Sequence, residues 1–175
     1  MPDTATEEAD AGGAALTDDV PENEFDRMVG ILADGLVGAA SGFVGMTLMT
    51  GVLLIAEGAG VFSRATFAEV SALVGLEQYF PPLLTGYLIV FGHGMITFPL
   101  LYASLKQFLP GGHDVVTGMV FGAFLWTGFA VAFYAGATGL ALVGYLALTL
   151  VAHLAYGFGV GAVFHYLTSR PDSII

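Results

Sequence analysis

The sequence predicts an all-α fold: an integral membrane four-helix bundle of two antiparallel hairpins, behind a disordered acidic N-terminal tail. Three observations lead there. The 175 residues are 56% hydrophobic and only 11% charged, where soluble domains average roughly 25% charged. Four uncharged apolar runs are each long enough to cross a bilayer core, which is about 30 Å thick and needs roughly 20 helical residues. Nine of the fifteen acids fall within residues 1–26, which hold no Lys or Arg. Together these exclude an ordinary soluble domain, a wholly disordered chain and a nucleic-acid binder. The chain has no cysteine, so disulfides, thiolate metal sites and cysteine nucleophiles are excluded as well.

The tail, residues 1–26, is too acidic and too poor in large apolar residues to fold alone, and reads as a solvated cytoplasmic arm. It begins polar and lacks a basic leader, so it is not a signal peptide. Acid-rich, lysine-poor exposed segments hold water, which suits a halophilic source. The second region, residues 27–175, carries the four spans: about 35–56, 82–105, 115–136 and 140–167. The runs are continuous rather than alternating, which predicts helices and not barrel strands. Pro21 is placed to start the first helix ahead of the lipid, with Phe25, Met28 and Ile31 along the interface.

Between spans one and two, Ala65–Val74 has the spacing of a short amphipathic helix, with Phe67, Val70 and Val74 on one side and Glu69 on another. It is expected to lie flat on the membrane. Pro110-Gly111-Gly112 marks a turn after span two, and a short loop, about Ala137–Gly139, joins spans three and four. Arg27, Lys106 and Arg170 fall on one side and Arg64 on the other, which predicts cytoplasmic termini in a cell membrane.

Lipid tails are as apolar as leucine, so helices associate through close packing and hydrogen bonds. Gly38 and Gly42, Gly118 and Gly122, and Gly157 and Gly161 are spaced four apart and supply surfaces where backbones approach. These faces serve packing within the monomer, a homo-oligomer or another membrane subunit. A faint repeat relates helix one to helix three and helix two to helix four, where Tyr87-Leu88 and Tyr145-Leu146 each precede a central histidine.

Those histidines are His93 and His153. Each lies near the middle of a helix running in the same direction, so their depths differ by about 3 Å at 1.5 Å per residue. Polar side chains at that depth are costly and mark function by default. Thr97 shares a face with His93, and Thr149, Tyr156 and Gly157 share one with His153. Pro99 has no N–H, so it leaves a carbonyl free, expected at Met95, and kinks the helix below His93. Three roles suit the pair: a buried polar pair that stiffens the bundle, the proton relay of a small membrane carrier or channel, or the axial ligands of a haem b. No carboxylate lies inside a span, so a metal site built from protein ligands alone is not expected. His113 and His165 fall at the cytoplasmic ends of helices three and four.

The run His93-Gly-Met-Ile-Thr-Phe-Pro99, the turn Leu109-Pro-Gly-Gly112, the glycine-rich third helix and His153-Leu-Ala-Tyr-Gly157 resemble a family of small four-helix membrane proteins. That family is frequent in haloarchaea, and some members are assigned as accessory subunits of haem-copper terminal oxidases. The resemblance covers roughly residues 28–168. The family has no established activity; the resemblance implies an accessory subunit of a respiratory complex, with no catalytic activity expected of the chain by itself, and carries over no catalytic residue. Other membrane subunits and lipid are its expected partners, nucleic acid is not, and no cofactor is required, with haem b as the alternative.

Overall fold

The computed structural model describes residues Asp19 to Ser169, and among these every regular element is a helix. Helix α1 (Asp19–Gly58) runs for 40 residues, about 60 Å at 1.5 Å per residue. That exceeds a bilayer core, so its N-terminal part extends past the bundle, with Phe25, Met28 and Ile31 exposed. The helix starts inside the acidic segment, so residues 19–26 are helical rather than part of a disordered tail. Residues 1–18 lie outside the described residues.

A 3₁₀ turn (Arg64–Thr66) leads into α2 (Phe67–Leu73). The expected flat-lying helix is instead docked: Phe67 and Ser71 are buried while Val74 is half exposed. The reason is Gly86 on the next helix, where a Cβ would overlap the Phe67 carbonyl. Only a glycine lets α2 approach that closely.

The second span is one rod in three parts: α3 (Pro82–Gly92), a π-helical turn (His93–Thr97) and α4 (Phe98–Leu105). Pro99 causes the π turn. The Phe98 N–H bonds back to the His93 carbonyl, five residues away. Pro99 has no N–H to offer, so the Gly94 carbonyl is left without a backbone donor. The freed acceptor is thus Gly94, one residue before the expected Met95.

Helix α5 (Asp114–Ala132) ends four residues short of Gly136. Phe133 leaves helical geometry, and Gly136 and Gly139 take φ of 80° and 56°. Hydropathy alone misses this end because no charged residue marks it in Phe133–Gly136. Helix α6 (Gly139–Thr168) is unbroken. Four of these stretches, Arg27–Gly58, Pro82–Phe108, Asp114–Ala132 and Gly139–Thr168, are long and apolar enough to cross a membrane.

Helix α6 is the centre of the bundle, packed against α5 on one side and α1 on the other. Helix α1 also holds the π turn and α4. The α5–α6 crossing is built on glycine: a Cβ on Gly118 would overlap the Gly157 carbonyl, one on Gly122 the His153 carbonyl, and one on Gly161 the Asp114 carbonyl. A Cβ on Gly42 would stand 2.6 Å from the Met95 Cα, whereas one on Gly38 finds ordinary contacts at 3.7 Å. Two further glycines carry the α1–α6 crossing. A Cβ on Gly45 would stand 2.8 Å from the Tyr156 ring, and one on Gly159 would stand 2.9 Å from the Gly45 Cα. All six predicted packing glycines therefore sit at helix contacts, and five of the six admit no side chain.

Candidate functional site

Helix α3 and helix α5 have no extensive mutual packing. The gap between them is a cavity of about 460 Å³ that opens sideways, past the exposed Phe124, Thr127 and Gly128 of α5. Met46 and Met49 of α1 and His153 and Tyr156 of α6 close its far wall, and Val70 of α2 reaches it from above. Both central histidines line it.

The two imidazoles are held alike. The His93 Nδ1 lies 2.8 Å from the Ile89 carbonyl, and the His153 Nδ1 lies 2.8 Å from the Thr149 carbonyl. A carbonyl only accepts, so each Nδ1 carries the proton. In the neutral ring Nε2 is then a bare lone pair. Their burial differs. His153 is 4% exposed and its ring stands 4.6 Å from that of Phe129. His93 is exposed beside Phe98, with ring centroids 6.2 Å apart. The expected buried pair is therefore one buried and one exposed imidazole, each bonded to its own helix and facing a shared space. The cause is the rotation of the second span, which Gly42 fixes by seating the π turn on α1.

The supporting residues divide in the same way. Tyr156 is 1% exposed, and its hydroxyl donates to the Gly94 carbonyl at 2.7 Å. The acceptor that Pro99 frees on one helix is thus satisfied from another. Thr149 is fully buried; it donates to the Tyr145 carbonyl at 2.6 Å and accepts the Trp126 indole N–H at 3.0 Å. Gly157 belongs to the α5–α6 contact, and Pro99 is buried. Thr97 is exposed and does not line the cavity.

Sequence reading missed Phe129. An aromatic chain descends from Phe67 to Phe133 (5.3 Å), to Phe129 (4.4 Å) and on to His153. The i, i+4 spacing of Phe129 and Phe133 was its only sequence signal.

Charge lies at the bundle ends. Asp114 meets Lys106 at 3.7 Å and His165 at 3.6 Å, while the His113 ring stands 4.2 Å from that of His165. The His113 Nδ1 caps α5 by accepting the Val115 N–H at 3.3 Å. At the opposite end Arg64 pairs with Glu57. Tyr87 first, and Glu57 after it, raise the Arg64 pKa above its ordinary value. Among the described residues no Lys, Arg, Asp or Glu lines the cavity, and no cluster of metal-ligating side chains forms. Two bare Nε2 atoms are the right donors for a haem iron, but the lining offers no cation for haem carboxylates.

No curated protein and no solved structure matches the chain. A family model does match, over residues 32–175, which takes in three of the four long apolar helices whole and the first from residue 32 onward. The chain is a member of the DUF6789 family, a family of unknown function.

Proposed function

We propose that this chain is an accessory integral membrane subunit that shelters a lipid-soluble ligand between its helices. The cavity carries this reading. Its volume lies within the roughly 300–1,000 Å³ of small-molecule sites, and its wall is apolar with a few placed polar groups, as such sites require. It opens between helices, so a ligand reaches it from the lipid phase. The three bases on one side against one on the other support cytoplasmic termini. The resemblance to accessory oxidase subunits supports a respiratory complex as the neighbour. Ile96 and Val131, exposed and outside the cavity lining, suit that neighbour or acyl chains.

Gly128 provides the test. It lines the cavity, and a Cβ there meets nothing within 4 Å. Gly128→Phe therefore fills the space without moving a backbone. Protein purified in mild detergent is extracted with organic solvent and its lipid-soluble contents identified by mass spectrometry. Wild type is expected to carry a compound that Gly128→Phe has lost. Equal contents would remove the cavity from the function. The same purification from native membranes brings down a respiratory subunit if the proposed neighbour is correct, and its absence removes that neighbour while leaving the cavity.

A further inference from the structure

Four polar side chains line the cavity: His93, Thr127, His153 and Tyr156. Every one has already committed a proton to a backbone carbonyl. Thr127 donates to Phe124 at 2.7 Å and Tyr156 to Gly94 at 2.7 Å. The two Nδ1–H groups are held by Ile89 and Thr149 at 2.8 Å each. What is left is a set of acceptors. The two imidazole Nε2 atoms are the strongest of them, because an sp² nitrogen is more basic than a hydroxyl oxygen. Neither has a protein partner among the described residues, and the His153 Nε2, although its residue is buried, stays open to the space.

An unpaired polar atom in an apolar site costs free energy that a suitable ligand recovers. A site that holds acceptors and no donors selects ligands that bring O–H or N–H groups, and repels ligands whose polar atoms are carbonyl, ester or phosphate oxygens. The walls add a second criterion. Phe98, Phe124, Phe129 and Phe133 surround the space, and aromatic faces of this kind suit a ring. The lining carries no charged partner, so the ligand is neutral.

We propose that the cavity binds a lipid-soluble hydroquinone, with its ring among these phenylalanines and its hydroxyls donating to Nε2 of His93 and of His153. This rests on the ligand-sheltering reading above and names the class of ligand. It carries a requirement that a merely greasy pocket does not share. The oxidised quinone has the same ring and tail but only acceptor oxygens, which would face the two nitrogen lone pairs. The site should therefore distinguish the two redox forms of one molecule.

The test uses the full chain in lipid nanodiscs, with empty nanodiscs as the blank. A decyl-substituted benzoquinone and the same compound chemically reduced are titrated under argon, and binding is followed by calorimetry. The reduced form is expected to bind at least about ten-fold more tightly, the effect of one or two satisfied acceptors. In His93→Leu that preference should fall severalfold; the position is exposed, so the fold is retained. His153→Leu should lower it further. Equal binding of both forms overturns the hydroquinone assignment and leaves the cavity reading standing. Binding of neither form also overturns the hydroquinone assignment, and the solvent extraction of wild type and Gly128→Phe then decides the cavity reading. A haem absorption band in the purified protein also overturns the assignment, because iron would then occupy the nitrogens reserved here for hydroxyls.

Discussion

His93 and His153 make the same bond to the carbonyl four residues earlier, yet the helices that carry them are opposites. Helix α6 is continuous and closely packed, with glycines against it on two sides: Gly118 and Gly122 from α5, Gly45 from α1. The α3–α4 rod is interrupted by a π turn and is much less buried. The difference shows two ways of placing a polar residue in lipid. One buries it by removing side chains from its neighbours. The other breaks the hydrogen-bond ladder and repairs the break from outside. The cavity lies where the two strategies meet, since α3, the first part of the broken rod, does not close onto α5.

The packing of α6 is lost most completely by substitution at the glycines. Gly118→Val and Gly122→Val each drive a side chain into a backbone carbonyl on α6, and the rigid partner cannot yield. Both are expected to abolish the folded monomer in detergent, read by gel filtration and circular dichroism. Gly51→Ala, where a Cβ meets nothing, should leave the melting temperature unchanged or slightly raised.

The repair of the broken rod is tested next. Tyr156→Phe strands the Gly94 carbonyl and should cost about 1–2 kcal/mol in a denaturant titration. Pro99→Ala returns a backbone N–H to that turn, so Tyr156→Phe should cost about half as much in that background. Additive effects would show that the proline is not what frees the carbonyl.

Thr149→Val should cost about 1 kcal/mol by leaving the Trp126 N–H without its partner. Trp126 is the single tryptophan, so a shift in intrinsic fluorescence reports the loss directly. His93→Leu should change stability by less than about 0.5 kcal/mol because the site is exposed.

The spans were legible because charge is so scarce. The second was bounded to the residue, Pro82 to Leu105, and the last to within one residue at each end, since turn residues and polar groups punctuate the apolar runs. The end of α5 was not, because apolar Phe133 and Ala135 lie beyond it. Pro99 announced the break. The direction in which His93 faces was hidden, because it depends on how Gly42 seats the rod against α1, a contact 53 residues away in the chain. For the same reason, Tyr156 could be picked out as a companion of His153 but not as the donor to Gly94. Nor could the docking of α2 be read, since it turns on a single glycine, Gly86, in the following helix.

Two imidazoles turn bare Nε2 atoms toward one cavity. Nitrogen-15 NMR of histidine-labelled protein in nanodiscs tests it directly, with His93→Leu and His153→Leu assigning the signals. The structure predicts protonated Nδ1 and unprotonated Nε2 on both rings, and a shift of both Nε2 signals when a decyl hydroquinone is added but not in Gly128→Phe. A proton on either Nε2 in the neutral ring, or a response from one ring alone, would contradict the account.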